Sequence, residues 1–243
     1  MGLPELHYLT ATEAIELFRA KKLSPVEYLR AIIDQCERVN PKVNAFTYTF
    51  FDRASEQAKA AESRYLTGHN LRPLEGIPVV IKDLHPVKGE IATCGSRVLE
   101  GVRADYTAPS VQRLFDAGAI MHARSTTPEY AHAGYTYSAL WGVTRNPWNL
   151  DYAPGGSSGG AGAAVASGMT AVADGTDGGG SIRIRVRNCG LQASFRPQPA
   201  KCHTNSIRAA IAYRSDGPQR RGRQSNAECN VRSACRGHNL FAA

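Results

Sequence analysis

Two serines and a lysine have the residue types and spacing for acyl-transfer chemistry. Ser157 lies in Gly155-Gly156-Ser157-Ser158-Gly159, and Ser181 ends Gly178-Gly179-Gly180-Ser181. Lys82 closes the apolar run Ile77-Pro78-Val79-Val80-Ile81. Consecutive glycines let a substrate approach backbone N–H groups, and such groups beside a hydroxyl can stabilise an oxyanion. A serine hydroxyl is a weak nucleophile unless a base takes its proton. Lysine can be that base if held neutral, against an ordinary pKa of about 10.4, and burial shifts it that way. Each piece also has a plain structural reading: a Gly/Ser surface loop, and a solvated lysine at a strand end.

Other chemistries fit less well. Gly155 to Gly159 matches Gly-x-Ser-x-Gly, but a hydrolase elbow needs a strand before it and a histidine after it. Asp151-Tyr152-Ala153-Pro154 is a poor strand, and the later histidines are His203 and His238 in a very different segment. No lysine follows these glycines, which excludes a phosphate-binding loop. His85, His122 and His132 read as ordinary loop or strand residues.

The elements that must position these groups are legible. Thr10 to Glu13 and Ser24 to Glu27 have capping-box spacing and each opens a helix. The second is expected to stop at Asn40-Pro41, because a residue before proline disfavours helix. Val43 to Phe50 reads as a strand and Asp52 to about Leu66 as a helix. Ile77 to Ile81 reads as a strand buried on both faces. Pro109 to Ala117 then reads as a helix, and Ala119 to Ala123 as a strand. Glu129 to Trp148 is aromatic-rich and irregular; Ser158 to Ser167 is a helix and Ala171 to Ala173 a short strand. This alternation predicts an α/β fold, a mixed sheet covered by helices on both faces.

Charge divides the chain. Eleven of its 29 basic and two of its 21 acidic residues lie from Arg185 onward, leaving the first 184 nearly neutral with 18 and 19. The overall charge of +8 therefore describes the end of the chain and gives no nucleic-acid footprint to the rest. No apolar run suits a membrane span, and Met1 to Tyr8 lacks the pattern of a signal peptide. A cytoplasmic protein is the expectation. Six cysteines show no zinc spacing, and Cys36 and Cys94 read as reduced thiols.

In combination the motifs resemble those of the amidase signature hydrolases. The matching segments are Gly-Ile-Pro-Val-Val-Ile-Lys-Asp from Gly76, Thr126-Thr127-Pro128-Glu129, Asn146-Pro147-Trp148, Pro154 to Gly160, and Gly175 to Arg183. The resemblance implies a Ser–cis-Ser–Lys triad. Ser181 matches the nucleophile, Ser157 the bridging serine on a cis peptide, and Lys82 the base. The backbone of Gly178, Gly179 and Gly180 matches the oxyanion hole, and Arg183 a substrate or structural arginine. It implies hydrolysis of a small-molecule amide to acid and ammonia or amine, without metal or cofactor, in a protein that could be a homodimer. Trp141 and Tyr135 are candidate pocket residues.

The family pattern fades after Arg183, where Ile184-Arg185 stands in place of Ile-Pro. Residues 1–184 are thus expected to form the N-terminal part of an amidase signature domain. Residues 185–243 are expected to be a basic tail, disordered or translated out of frame. The family's chain is about twice as long, so this form is expected to be truncated and inactive or nearly so, for want of packing over Lys82 and the Ser157 loop. Two alternatives stand beside hydrolysis. One is a non-catalytic remnant. The other is an A-type amidotransferase component that works on misacylated tRNA together with partner proteins.

Overall fold

The computed structural model describes residues 5–196 and 208–213. The N-terminal helices form as their caps dictate. In α1 (Ala11–Arg19) Thr10 and Glu13 close a reciprocal capping box, and Ser24 and Glu27 do the same for α2 (Pro25–Val43). α2 runs through Pro41, beyond the expected stop. Pro41 lies in the last turn, and the helix ends only when Asn44 turns left-handed (φ 53°) with its N–H on Asn40 O at 2.7 Å. β1 (Phe46–Thr49) and α3 (Phe51–Thr67) follow.

β2 (Pro78–Lys82), α4 (Pro109–Asp116) and β3 (Ile120–Ser125) come next, then a small ribbon of β4 (Tyr137–Ser138) and β5 (Gly142–Val143). α5 (Gly159–Ala166), β6 (Val172–Asp177), α6 (Arg183–Cys189), β7 (Gln192–Arg196) and β8 (Arg208–Tyr213) complete the described chain. The main sheet has the order β1-β3-β2-β6-β8-β7. β2 lies parallel to both β3 and β6, while β1, β8 and β7 pair antiparallel with their neighbours. Every residue of β2, β3 and β6 is buried, so the sheet's centre is covered on both faces. The fold is α/β with a mixed sheet flanked by helices.

Two strands fall in the segment expected to be disordered or out of frame. β7 and β8 extend the sheet beyond β6. Their stretches, Gln-Ala-Ser-Phe-Arg and Arg-Ala-Ala-Ile-Ala-Tyr, are more apolar than the sequence around them, and an unpaired β6 edge offers backbone partners. The remainder of the basic segment, 197–207 and 214–243, lies outside the described residues.

α5 explains the small-residue run after Ser158. All eight of its residues, Gly-Gly-Ala-Gly-Ala-Ala-Val-Ala, are buried. A Cβ on Gly160 would stand 2.3 Å from Thr126 Oγ1 and 2.6 Å from Ala45 O, so only glycine allows the helix to come this close. The approach sets the start of α5, and with it Ser157, against the ends of β2 and β6.

Candidate active site

Lys82 is the last residue of β2 and has no exposed surface. Its Nζ donates to Ser157 Oγ and Thr176 Oγ1, each at 2.8 Å, and to Ser158 Oγ at 3.0 Å. Its backbone N–H donates to Asp174 Oδ1 at 2.5 Å. Asp174 and Thr176 are alternate residues of β6 and share one face of the sheet. The carboxyl ends of two parallel strands thus grip the lysine at main chain and tip.

The Gly156–Ser157 peptide is cis. A Cβ on Gly156 would stand 2.6 Å from Tyr135 N and 2.7 Å from Ala133 O. Thr136 clasps the loop from both sides: its Oγ1 donates to Gly155 O at 2.9 Å and accepts from Gly159 N at 3.1 Å. Ser157 Oγ lies 3.0 Å from Ser181 Oγ, with Ser157 donating. One chain of hydrogen bonds therefore runs from Lys82 through Ser157 to Ser181. A hydroxyl both donates and accepts, so this chain can carry a proton either way. Ser158 instead turns to the strand, donating to Thr176 O at 3.3 Å and accepting from Thr176 N at 3.2 Å.

Asp177, the last residue of β6, organises the turn that carries Ser181. Its carboxylate accepts from the backbone N–H of Gly180 (2.9 Å), Ile182 (3.2 Å) and Arg183 (3.1 Å). It also takes Arg183 Nε at 3.1 Å and Nη2 at 2.9 Å. Burial alone would push this carboxyl up, but the Arg183 guanidinium and the three N–H groups outweigh it and hold it down to about 2. Arg183 is spent on Asp177, a structural engagement. Gly180 N–H is likewise taken by Asp177, whereas Gly178 and Gly179 are exposed and no acceptor among the described residues takes their N–H groups.

The remaining motifs brace this arrangement. Asn146 Oδ1 accepts from Trp148 N, and Asn146 Nδ2 and Trp148 Nε1 donate to Asn188 O (3.3 Å) and Cys189 O (3.1 Å), tying down the end of α6. Thr126 and Thr144 share a hydroxyl–hydroxyl bond of 2.6 Å beneath α5. Trp141, a candidate pocket residue, donates its Nε1 to Thr93 Oγ1 at 3.0 Å, whereas Tyr135 is exposed. A cavity of about 580 Å³ lies between Pro128 and Ala139, with Tyr130, Tyr135 and Tyr137 in its wall. Ala133 and Tyr135 also line it, and their backbones press on Gly156, so the cavity adjoins the Ser157 loop. Among the described residues no group of three His, Cys, Asp or Glu converges to hold a metal, and Cys36 and Cys94 are free thiols. No helix among them is long and apolar enough to cross a membrane.

Sequence reasoning misses Thr176, Asp174 and Thr136. Thr176 and Asp174 follow period two along β6 and stand beside a recognised motif, which is the available signal; Thr136 has none.

A buried lysine is thus joined through one serine to another at the carboxyl ends of parallel strands. The Amidase family model matches residues 27–198, and the chain belongs to the amidase signature family. It is 39% identical over 187 residues to the A subunit of glutamyl-tRNA(Gln) amidotransferase from Carboxydothermus hydrogenoformans, covering 77% of this chain and 39% of that one. Among solved structures it is similar to a bacterial aryl acylamidase of the same family, with TM-score 0.80, 34% identity, and 87% and 46% of the two chains covered. The corresponding amidotransferase protein of Thermotoga maritima gives TM-score 0.65 and 31% identity over 81% and 40%. The chain spans about two-fifths of the length of the curated relatives it matches.

Proposed function

We propose that the chain carries the catalytic relay of an amidase that hydrolyses a carboxylic amide to acid and ammonia or amine. The observation that carries this reading is the unbroken hydrogen-bonded path Lys82–Ser157–Ser181. In the forward step Ser181 Oγ bonds to the carbonyl carbon. Its proton passes to Ser157, and Ser157's own proton passes to neutral Lys82. The carbonyl oxygen becomes the oxyanion, facing the N–H groups of Gly178 and Gly179. When the C–N bond breaks, Lys82 returns its proton through Ser157 to the leaving nitrogen. Water then repeats the sequence on the acyl-serine and releases the acid.

The tyrosine-walled cavity beside Gly156 favours amides bearing a planar aromatic group. The experiment is fluorophosphonate labelling of the purified chain with peptide mapping, alongside turnover on aryl and aliphatic amides. An adduct on Ser181 that is lost in Ser181→Ala supports the reading. No adduct, or one on Ser157 or Ser158, refutes it.

A second reading has its own support, the 39% identity to an amidotransferase component. In that case the amide would be an ammonia donor for a tRNA-linked reaction, and the chain would co-purify with partner proteins. Turnover of simple amides by the isolated chain separates the two.

A further inference from the structure

We infer that a cavity between α3 and α4, apart from the relay, binds a small carboxylate with an apolar body. The cavity holds about 400 Å³. Among the described residues it shares none with the tyrosine-walled cavity or with Lys82, Ser157 and Ser181. Its volume falls within the range of small-molecule sites. α3 lines it with Arg53, Gln57, Ala60 and Arg64, whose spacing puts them on one helix face. Phe115 of α4, with Ile120 and Met121 of β3, adds apolar surface.

One end of the cavity has a place for a head group. Glu75 sits there with its side chain 1% exposed and takes two guanidiniums. Arg72 alone satisfies this carboxylate as a fork, donating Nε to Oε2 at 2.6 Å and Nη2 to Oε1 at 2.9 Å. Arg64 adds a single nitrogen, Nη1, to Oε1 at 3.0 Å. Arginine does not lose its proton, so one carboxylate faces two fixed positive charges and this end carries a surplus of one. Nε and Nη2 of Arg64 have no acceptor among the described residues, and its side chain is 39% exposed. Such a half-spent guanidinium suits an incoming carboxylate, which it can take with two parallel N–H bonds. A dianion would exceed the surplus.

The donors are already in place. Gly118 (φ 93°) closes on the pair: a Cβ there would stand 2.9 Å from Glu75 Cα and 3.0 Å from Arg72 Nε. The N–H groups of Leu74 and Gly76 bond to Ala117 O at 2.7 Å and Gly118 O at 3.1 Å, which fixes the turn bearing Glu75 to the end of α4. Tyr65 OH donates to Glu75 O at 3.1 Å and ties the same turn to α3. Little ordering cost therefore offsets binding at this end. About 16 Å along α3, Arg53 is already engaged, by Glu90 and by the Phe50 ring at 4.4 Å. The apolar side chains between the two ends suit an aryl or alkyl body.

The test is NMR on the full chain with ¹³C-methyl methionine. The sequence has three methionines, Met1, Met121 and Met169. Met121 lines the cavity, whereas Met169 is buried away from it. M121L assigns the signal. Titration with 4-phenylbutyrate should move the Met121 methyl saturably, with a Kd on the order of 1 mM, and leave Met169 in place. Binding in the tyrosine-walled cavity would leave Met121 unmoved. 4-Phenylbutanol has the body without the charge, and inorganic phosphate the charge without the body; each should bind at least about tenfold more weakly. R64Q should weaken the carboxylate by about tenfold or more. K59Q, which removes an equal charge from an exposed site of α3, should not. An unresponsive Met121, an equal response to the alcohol or to phosphate, or an unchanged affinity in R64Q overturns the inference. So does an equal loss in K59Q, which would mean attraction by charge at large. If R64Q does not fold, a sodium chloride series on the unmodified chain decides. Affinity for the carboxylate should fall between about 20 and 500 mM salt, and a salt-independent affinity overturns the inference.

Discussion

The two ends of the relay are held in opposite ways. Lys82 has no exposed surface and is gripped by residues of two strands, at main chain and tip. Ser181 is half-buried and rides on a turn whose form depends on one carboxylate, Asp177. Lys82 is therefore part of the core, and Ser181 is suspended from it. Chemistry and stability should then separate: damage at Lys82 should reach both, whereas damage at the turn should reach reactivity first.

The sharpest way to break this contrast is to compare two lysines six residues apart. Lys82→Ala should lower Ser181 labelling by about 10²–10⁴-fold, the usual loss for a general base. Lys88→Ala should leave labelling unchanged, because Lys88 is exposed. Comparable rates in the two variants would remove Lys82 from the relay. Next in size is Gly160→Val, whose branched side chain would collide with Thr126 and Ala45 and drive α5 off the sheet. A loss of several degrees in Tm, with labelling abolished, is expected from overpacking of about 1–3 kcal/mol or more.

Asp177→Asn probes the suspended end. It should cost about 2 kcal/mol, the scale of hydrogen bonds to a charged group, and should slow labelling more than it lowers Tm. An equal effect on both would mean that the turn is as integral as the strand end. The same contrast has a pH form. His122 is buried against Phe46 and Phe51, and burial lowers its pKa to about 4. Its folded value lies below the ordinary 6.5, so its stability contribution is complete above pH 6.5 and is lost as pH falls toward 4. Asp177 has a folded value of about 2 against an ordinary 3.8, so its contribution is lost in a lower window, from about pH 4 down to 2. Denaturant titrations should show the upper window vanish in His122→Phe and the lower one in Asp177→Asn. A single window lost in both would join the two regions that the structure separates.

These two regions also differ in how far they can be read from sequence. The strand ending at Lys82 is legible because a buried run bounded by glycine and charge has few alternatives, and the helix caps at Thr10 and Ser24 because capping is local. The end of α2 departs from expectation because Asn44, not Pro41, closes it, and a left-handed asparagine leaves little trace in sequence. The pairing of His85 with Asp174 spans 89 residues and depends on β2 and β6 being adjacent. No local pattern can announce it, and from sequence His85 reads as an ordinary loop residue. Asp177's capture of Gly180 N–H and Arg183 is hidden for another reason. The glycine run has the same composition whether its N–H groups face a substrate or a neighbouring side chain. The strands after residue 191 are obscured by the one-signed charge around them.

Arg183 brings a consequence of its own. Its side chain is 66% exposed while that of Asp177 is 1% exposed, so the ion pair under Ser181 has one pole in solvent and the other in the protein. Dissolved anions can therefore compete for the guanidinium, although the carboxylate keeps its three backbone partners. Rising ionic strength should loosen the Ser181 turn by a small, graded amount and leave the Lys82 end untouched, because salt screens exposed charges far more than buried ones. Labelling rates measured across a chloride series, with Arg183→Gln as the salt-insensitive reference, would read that tether directly.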